Sequence, residues 1–391
     1  MSDDKIYSGD RAAVRHPQNE KIGVYMKKIV SLIAALALLF AVSCSSGGGK
    51  TVMSLGNAKI DEATYAYWMS TYKARYLRTY TDIKDTASYW NEKISDSSEK
   101  TNEELVNGLI RDNIRSNLVA MSLYAENGLT MSDSMKDKID SYIDSLVEEL
   151  ADGSRKTMNA NLAEFGINLN ILRTVFINEQ KSSDLFDYYY GDNGKTPVTD
   201  SEREAYYEEN YVRFYQINVN DAYAYAEDSD GTYQKNEDGS YKKRSLTDKE
   251  KAEKAEKIAQ IEKKLSDGAD FSGLYEEYSE NTDYPGGYYF SLTSAGDYIA
   301  DIVTKAFSLE EGEWMKYTSD TYGTFFIKRA ALDDGAYSAE ANADFFDDFD
   351  TSVADDLYNK MITSHFDEIS VDEELLNAVS VKDCKANYYY D

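Results

Sequence analysis

Residues 199–219 read TDSEREAYYEENYVRFYQINV, and the period of the pattern changes partway through them. Thr199-x-x-Glu202 is a capping box, in which a threonine side chain and a glutamate three residues on satisfy each other's backbone donors. The helix it opens is predicted to end near Asn210. From Val212 to Val219, VRFYQINV, branched and aromatic residues replace the helical spacing, which predicts a strand. Upstream of this joint the chain reads as helix. Downstream, strands and helices alternate. The fold class that follows is α+β.

Working back from the joint, Gly191 to Pro197 is a linker. The preceding helix is predicted from about Leu169 to Tyr190, with Leu172, Val175, Phe176, Leu185 and Phe186 inward. Another starts at Ser132 or Ser134 and places Ile139, Ile143, Leu146, Val147 and Leu150 on one face. Thr101-x-x-Glu104 caps a third, closed by Asn127-Gly128, along which Leu105, Leu109, Ile114, Leu118 and Met121 recur at helical spacing. Before it, Thr51 to Tyr80 opens with a short extended piece and a turn, then a helix from about Asp61. Such apolar stripes are core.

Forward of the joint, 223–246 is polar and carries Asp230-Gly231 and Asp238-Gly239 turn signals, an inserted hairpin or a loose loop. Thr247-x-x-Glu250 caps a helix with Ala255, Ile258, Ala259, Ile261 and Leu265. A short helix follows through Leu274 and Tyr278. Gly286-Gly287 then turns into a strand at Tyr288-Tyr289-Phe290. A helix with Ile299, Ile302, Val303, Ala306 and Phe307 comes next, then two extended segments around Tyr322-Gly323. The order β-α-α-β-α-β-β makes a compact α+β unit. Ser338 to Phe366 returns to helix, with Phe346, Phe349, Val353, Leu357 and Met361 inward. A segment of that length does not fold alone, so it is expected to pack on the N-terminal helices and make that domain discontinuous.

Near the start, Met26 to Lys50 reads MKKIVSLIAALALLFAVSCSSGGGK. Two lysines, an apolar run short of a bilayer span and small residues make a secretory signal. Ala41-Val42-Ser43-Cys44 has the form of a bacterial lipobox, in which Cys44 is lipidated and becomes the mature N-terminus. The alternative is an uncleaved anchor with a cytosolic tail. On the first reading residues 1–25 are a mis-assigned upstream start, 26–43 the signal peptide and 44–50 a tether. Everything after Cys44 is then extracytoplasmic and attached to a bacterial membrane, most simply the cell membrane, by lipid.

A net charge of −29 excludes binding of nucleic acid or acidic lipid through a general field. With Cys44 lipidated, Cys384 is alone, so no internal disulfide or cysteine-based metal cluster forms. His365 lies in a predicted helix with no nucleophile-elbow pattern beside it. Gly47-Gly48-Gly49-Lys50 lacks the preceding strand of a phosphate loop. No metal or cofactor is expected. The 34 tyrosines supply rigid amphipathic contact area suited to gripping varied peptides, although genomic base composition would explain them equally.

The order and wording of these pieces resemble the PrsA/SurA-type extracytoplasmic foldases, lipoproteins with a parvulin-like (PpiC-type) peptidyl-prolyl isomerase domain. In the N-terminal part the resemblance rests on Gly56-Asn57-Ala58-Lys59-Ile60-Asp61, Tyr124-Ala125-Glu126-Asn127-Gly128-Leu129, and Pro197-Val198-Thr199-Asp200 through Tyr207-Glu208-Glu209-Asn210. In the central part it rests on Asp267-Gly268-Ala269-Asp270-Phe271, Tyr278-Ser279-Glu280-Asn281, Gly286-Gly287, Ala306-Phe307-Ser308-Leu309-Glu310-Glu311-Gly312 and Tyr322-Gly323-Thr324-Phe325-Phe326-Ile327-Lys328. It implies a helical chaperone domain at 51–198, a parvulin-like domain at 199–331 with the insertion 223–246, and a C-terminal helical segment at 332–391 packing on the first.

Active parvulins use two histidines beside a Cys or Asp, with a Met/Phe/Leu proline pocket. By the resemblance the first histidine falls on Gln216, the acidic or thiol position on Asn281 and the second histidine on Phe325. The pocket falls on Tyr289, Tyr298 and Ile302, with Phe307 beside them. Every polar catalytic position is substituted. The resemblance implies a foldase or chaperone for unfolded, newly exported polypeptides, a homodimer being one possible assembly, with weak or no isomerase activity. An active prolyl isomerase is one alternative. A solute-binding or adhesive surface lipoprotein is another.

Overall fold

The computed structural model of the protein describes residues 48–391 except 96, 192, 297, 298, 390 and 391. The expected signal peptide, Cys44 and Tyr298 lie outside the described residues. Two compact units emerge, one of residues 48–199 with 350–391, the other of residues 200–349.

The first unit opens with β1 (Thr51–Leu55) and β2 (Ala58–Asp61), an antiparallel hairpin turned at Gly56-Asn57. Six helices follow: α1 (Glu62–Thr79), α2 (Ala87–Asn91), α3 (Asn102–Glu126), α4 (Asp133–Ala151), α5 (Arg155–Leu162) and α6 (Leu169–Tyr190). Their starts are dictated locally. Asp61 accepts the Thr64 amide at 2.9 Å, Thr101 and Glu104 form the reciprocal capping box, and Ser132 caps α4. Trp68, Trp90, Leu118, Leu172 and Val175 are buried at the centre of one shared core.

The second unit contains α7 (Asp200–Asn210), β3 (Tyr211–Val219), β4 (Ala224–Tyr225), β5 (Lys243–Arg244), α8 (Asp248–Ser266) and α9 (Phe271–Tyr278). It continues with β6 (Tyr288–Ser291), α10 (Ala300–Phe307), β7 (Trp314–Ser319) and β8 (Gly323–Ala330). Four strands form one antiparallel sheet in the order β6-β3-β8-β7. Side chains alternate across it. Ile217, Val219 and Phe326 pack against Ile261 and Leu265 of α8 and Phe271 and Leu274 of α9. The opposite face carries Gln216, Asn218, Phe325 and Ile327 and is covered by α10, tied down where the Tyr317 hydroxyl donates to Asp301 at 2.8 Å. The turn into β8 needs a glycine: Gly323 has φ +90, and a Cβ there would stand 2.6 Å from the Val219 carbonyl oxygen.

The insertion is ordered by an eight-residue repeat. Ala226 N–H donates to the Lys242 carbonyl, Lys242 N–H to Gln234 and Gln234 N–H to Ala226, each at 2.8 Å. This closes a three-armed ring. Tyr225, Tyr233 and Tyr241 meet on one side of it with ring centroids 5.4–5.7 Å apart. Gly231 and Gly239, both at positive φ, turn the two outer arms.

Beyond β8 the structure corrects the expected helix over 338–366 and its packing. The chain makes two 3₁₀ turns, Ala336–Ser338 and Glu340–Phe345, before α11 (Phe349–Thr363) begins. Phe345 meets Tyr284 and Tyr288, Phe346 meets Tyr207 and Tyr211, and both meet Tyr289, all of them residues of the sheet unit. Residues 332–349 therefore stay with the sheet unit, and only 350–391 belong with the first helices. There Ile362 joins a cluster with Val119, Leu123 and Leu185. β9 (Ser370–Val371) adds to β1 to complete a three-stranded sheet, and α12 (Glu373–Asn377) follows. The end of the chain clasps the same unit. Val381 and Asn387 are fully buried, the Asn387 side chain donates to Thr71 at 3.1 Å, and the buried Lys73 ammonium donates to the Cys384 carbonyl at 2.8 Å. Burial pushes the Cys384 thiol up to about 11, so it is an inert packing group.

Candidate functional site

β3 places Gln216 in the middle of the face covered by α10, opposite Ile327, and two residues on it places Asn218 opposite Phe325. Gln216 is 4% exposed and Phe325 1%. Among the described residues, the Gln216 Oε1 and Asn218 Nδ2 atoms are buried with no hydrogen-bond partner. An unmet buried polar atom costs about 1–3 kcal/mol. Two lie side by side on the face where the catalytic groups were expected. Phe325 packs beside Tyr317 with centroids 6.4 Å apart, an apolar ring on this part of the face.

Asn281 stands in the loop after α9. Its Oδ1 accepts from the Tyr288 hydroxyl at 3.3 Å and from the Asp283 amide at 3.1 Å. The loop is fastened to β3 by the Glu280 amide on the Asn218 carbonyl at 2.9 Å. The Glu280 carboxylate in turn receives Lys254 at 2.6 Å, Lys257 at 3.0 Å and the Asn220 amide at 3.0 Å. Burial pushes this carboxyl up, but those hydrogen bonds outweigh it, and its pKa ends below the ordinary value.

Of the pocket residues, Ile302 is 2% exposed on α10, over the face that carries Gln216. Phe307 ends that helix half-buried, and its carbonyl, with that of Leu309, accepts from Arg329. Tyr289 is a correction. It pairs with Arg213 and so points to the opposite face, away from Gln216. There its hydroxyl donates to Asp333 at 2.6 Å while the Arg213 guanidinium lies between the Tyr215 and Tyr289 rings. Burial, with the Asp333 hydrogen bond next, holds the Tyr289 phenol above its ordinary range. It is a structural clamp. The residues on the correct face are Tyr288 and Phe290, whose rings meet Phe214 at 5.5 and 6.4 Å. Three consecutive aromatics leave no alternation from which to choose a face, so a one-residue slip went unmarked.

Among the described residues no cluster of His, Cys, Asp or Glu is arranged to hold a metal ion, and no helix is long and apolar enough to cross a membrane. His365 makes a local 2.8 Å contact with Glu368 on the other unit. What the face offers is carboxamides, aromatic rings and one hydroxyl–carboxamide pair.

No family model matches the chain. A curated relative, the foldase protein PrsA of Oceanobacillus iheyensis, is 30% identical over 124 residues, covering 32% of this chain and 39% of that one. The chain thus matches about two fifths of the length of that relative. Among solved structures, PrsA from Bacillus subtilis is 20% identical, with 70% of this chain and 89% of that one aligned at a TM-score of 0.22. A structure titled peptidylprolyl isomerase (PrsA) from Bacillus cereus is 16% identical, with 73% and 88% aligned at a TM-score of 0.24.

Proposed function

We propose that this relative of PrsA is an extracytoplasmic foldase, lipid-anchored through Cys44, that holds unfolded or newly exported polypeptides and isomerises prolyl bonds weakly or not at all. The observation that supports the reading is Phe325, an apolar ring buried to 1% on the face of Gln216, at the position the resemblance matches to a catalytic histidine. Rotating a prolyl bond means crossing a barrier of about 18–20 kcal/mol set by amide resonance. An isomerase lowers it by binding the twisted amide more tightly than the planar one, which takes donors aimed at the altered carbonyl and nitrogen. A phenyl ring supplies none. Gln216 and Asn218 keep hydrogen-bonding capacity for a peptide backbone, and the aromatic surroundings favour extended apolar segments.

The test is a protease-free prolyl isomerisation assay on residues 45–391, run beside aggregation of an unfolded client. The expected result is a rate at background together with suppression of aggregation at stoichiometric amounts. A folded protein that leaves aggregation unchanged overturns the proposal. The buried, unpartnered Gln216 also favours a second reading, an isomerase using Gln216 and Asn281 in place of the usual groups. In that case catalysis exceeds background, and Gln216→Ala and Asn281→Ala each lower it without unfolding the protein.

A further inference from the structure

The sheet ends at β6, and beside this edge the chain's own Phe345 sits in a box of aromatic rings. Its ring centroid lies 4.8 Å from Tyr284, 6.1 Å from Tyr288, 5.5 Å from Phe290 and 5.9 Å from Tyr289. Phe345 is 9% exposed, whereas Glu340, Ala341, Ala343 and Asp344 before it are open to solvent. The turn that carries it is closed by its own hydrogen bonds, the Asn342 amide on Ala339 at 2.9 Å and the Phe346 amide on Ala343 at 3.0 Å. Phe346 and Phe349 hold the segment from the other side, against Tyr207, Tyr211 and Tyr337. Phe346 also packs on Tyr289 at 5.7 Å, so Phe345 is a single ring inserted into a box on a segment whose other two rings are seated beside and beyond it.

The box adjoins the candidate site. Tyr288 and Phe290 belong to the face of Gln216, and the Tyr288 hydroxyl reaches Asn281. Its walls are tilted and edge-on rings at 4.8–6.1 Å, the spacing that aromatic pairs prefer.

We infer that this box is a client site for an aromatic side chain on an extended segment, and that Phe345 fills it as a built-in competitor. The inference rests on the foldase reading and names the feature of the client that is recognised. A client's phenylalanine takes the place of Phe345, and the 3₁₀ turn swings out while Phe346 and Phe349 stay seated. The competition lowers the apparent affinity by the preference of Phe345 for the box, which for one buried aromatic ring is roughly ten- to hundredfold.

The test compares fluorescein-labelled decapeptides with a central Phe or Ala, binding to the protein from residue 45 on and to Phe345→Ala. The expected result is that Phe345→Ala binds the Phe peptide roughly tenfold or more tightly, with the Ala peptide unchanged, and that adding Phe290→Ala abolishes the gain. Equal affinities of wild type and a folded Phe345→Ala for the Phe peptide overturn the inference. If Phe345→Ala melts early, Phe345→Leu keeps most of the packing, and its expected gain is several-fold; no gain there overturns the inference equally. Client aggregation separates the two proposals. Suppression by wild type with no effect of Phe345 removes the box alone, whereas no suppression by any variant removes the foldase reading.

Discussion

Glu280 shows how one side chain positions the candidate site. Two lysines and a backbone amide converge on its carboxylate and pin the Asn281 loop to the end of β3. Its folded pKa lies below the ordinary glutamate value. The stabilisation is therefore fully present above an unfolded pKa of about 4.3 and is lost as pH falls through the folded pKa. Glu280→Gln is expected to cost about 1–2 kcal/mol at neutral pH. The gap between wild type and variant closes below that window, which urea titrations at neutral and acidic pH measure directly. A gap that persists unchanged in acid would mean the carboxylate charge is not what holds the loop. The same part of the chain shows where sequence pattern fails. Gln216 and Phe325 come from the resemblance, and the pairing of β3 with β8 puts both on the face that α10 covers. Tyr289 was placed on the wrong face because its neighbours are equally aromatic.

The insertion between β3 and α8 is a small element with its own logic. Its three arms exchange backbone hydrogen bonds in a ring, packed by the tyrosine trio with Tyr223 against Tyr225, so the two Asp-Gly turns carry much of the geometry. Gly239 stands at φ +84 with open space around it. Gly239→Val is expected to destabilise the ring by about 1–2 kcal/mol through backbone strain alone. Faster hydrogen exchange at the amides of Ala226, Gln234 and Lys242, with the amides of β8 unchanged, is the measurement. The turn signals marked both bends in the sequence. The closure of the ring was not legible, because it depends on three strands meeting at once.

The helical unit is completed only when the end of the chain returns to it. Val381 and Asn387 are fully buried, Lys73 is 1% exposed and donates to the Cys384 carbonyl, and the Val381 amide donates to Asn107 at 2.8 Å. Ending the chain at Val379 removes these contacts and exposes Lys73. A loss of about 3 kcal/mol or more is expected. With Trp314→Phe, the two remaining tryptophans, Trp68 and Trp90, lie in that core and report its unfolding by fluorescence.

Local physics was enough for much of this protein. Caps at Asp61, Thr101, Ser132 and Thr247, apolar stripes at helical spacing, and the switch of period at Val212 state the α+β class and most element limits. These signals act within a few residues, so they survive in a bare sequence. Other features are set between residues far apart in the chain. The side of the sheet that Tyr288 and Tyr289 each take depends on strand pairing. The split of the 332–391 segment at Phe349 depends on which aromatic walls Phe345, Phe346 and Phe349 find. The burial of the last residues depends on a groove that exists only after the helices have packed. Burial of this kind is a property of the assembled core, and no window of sequence contains both sides of it.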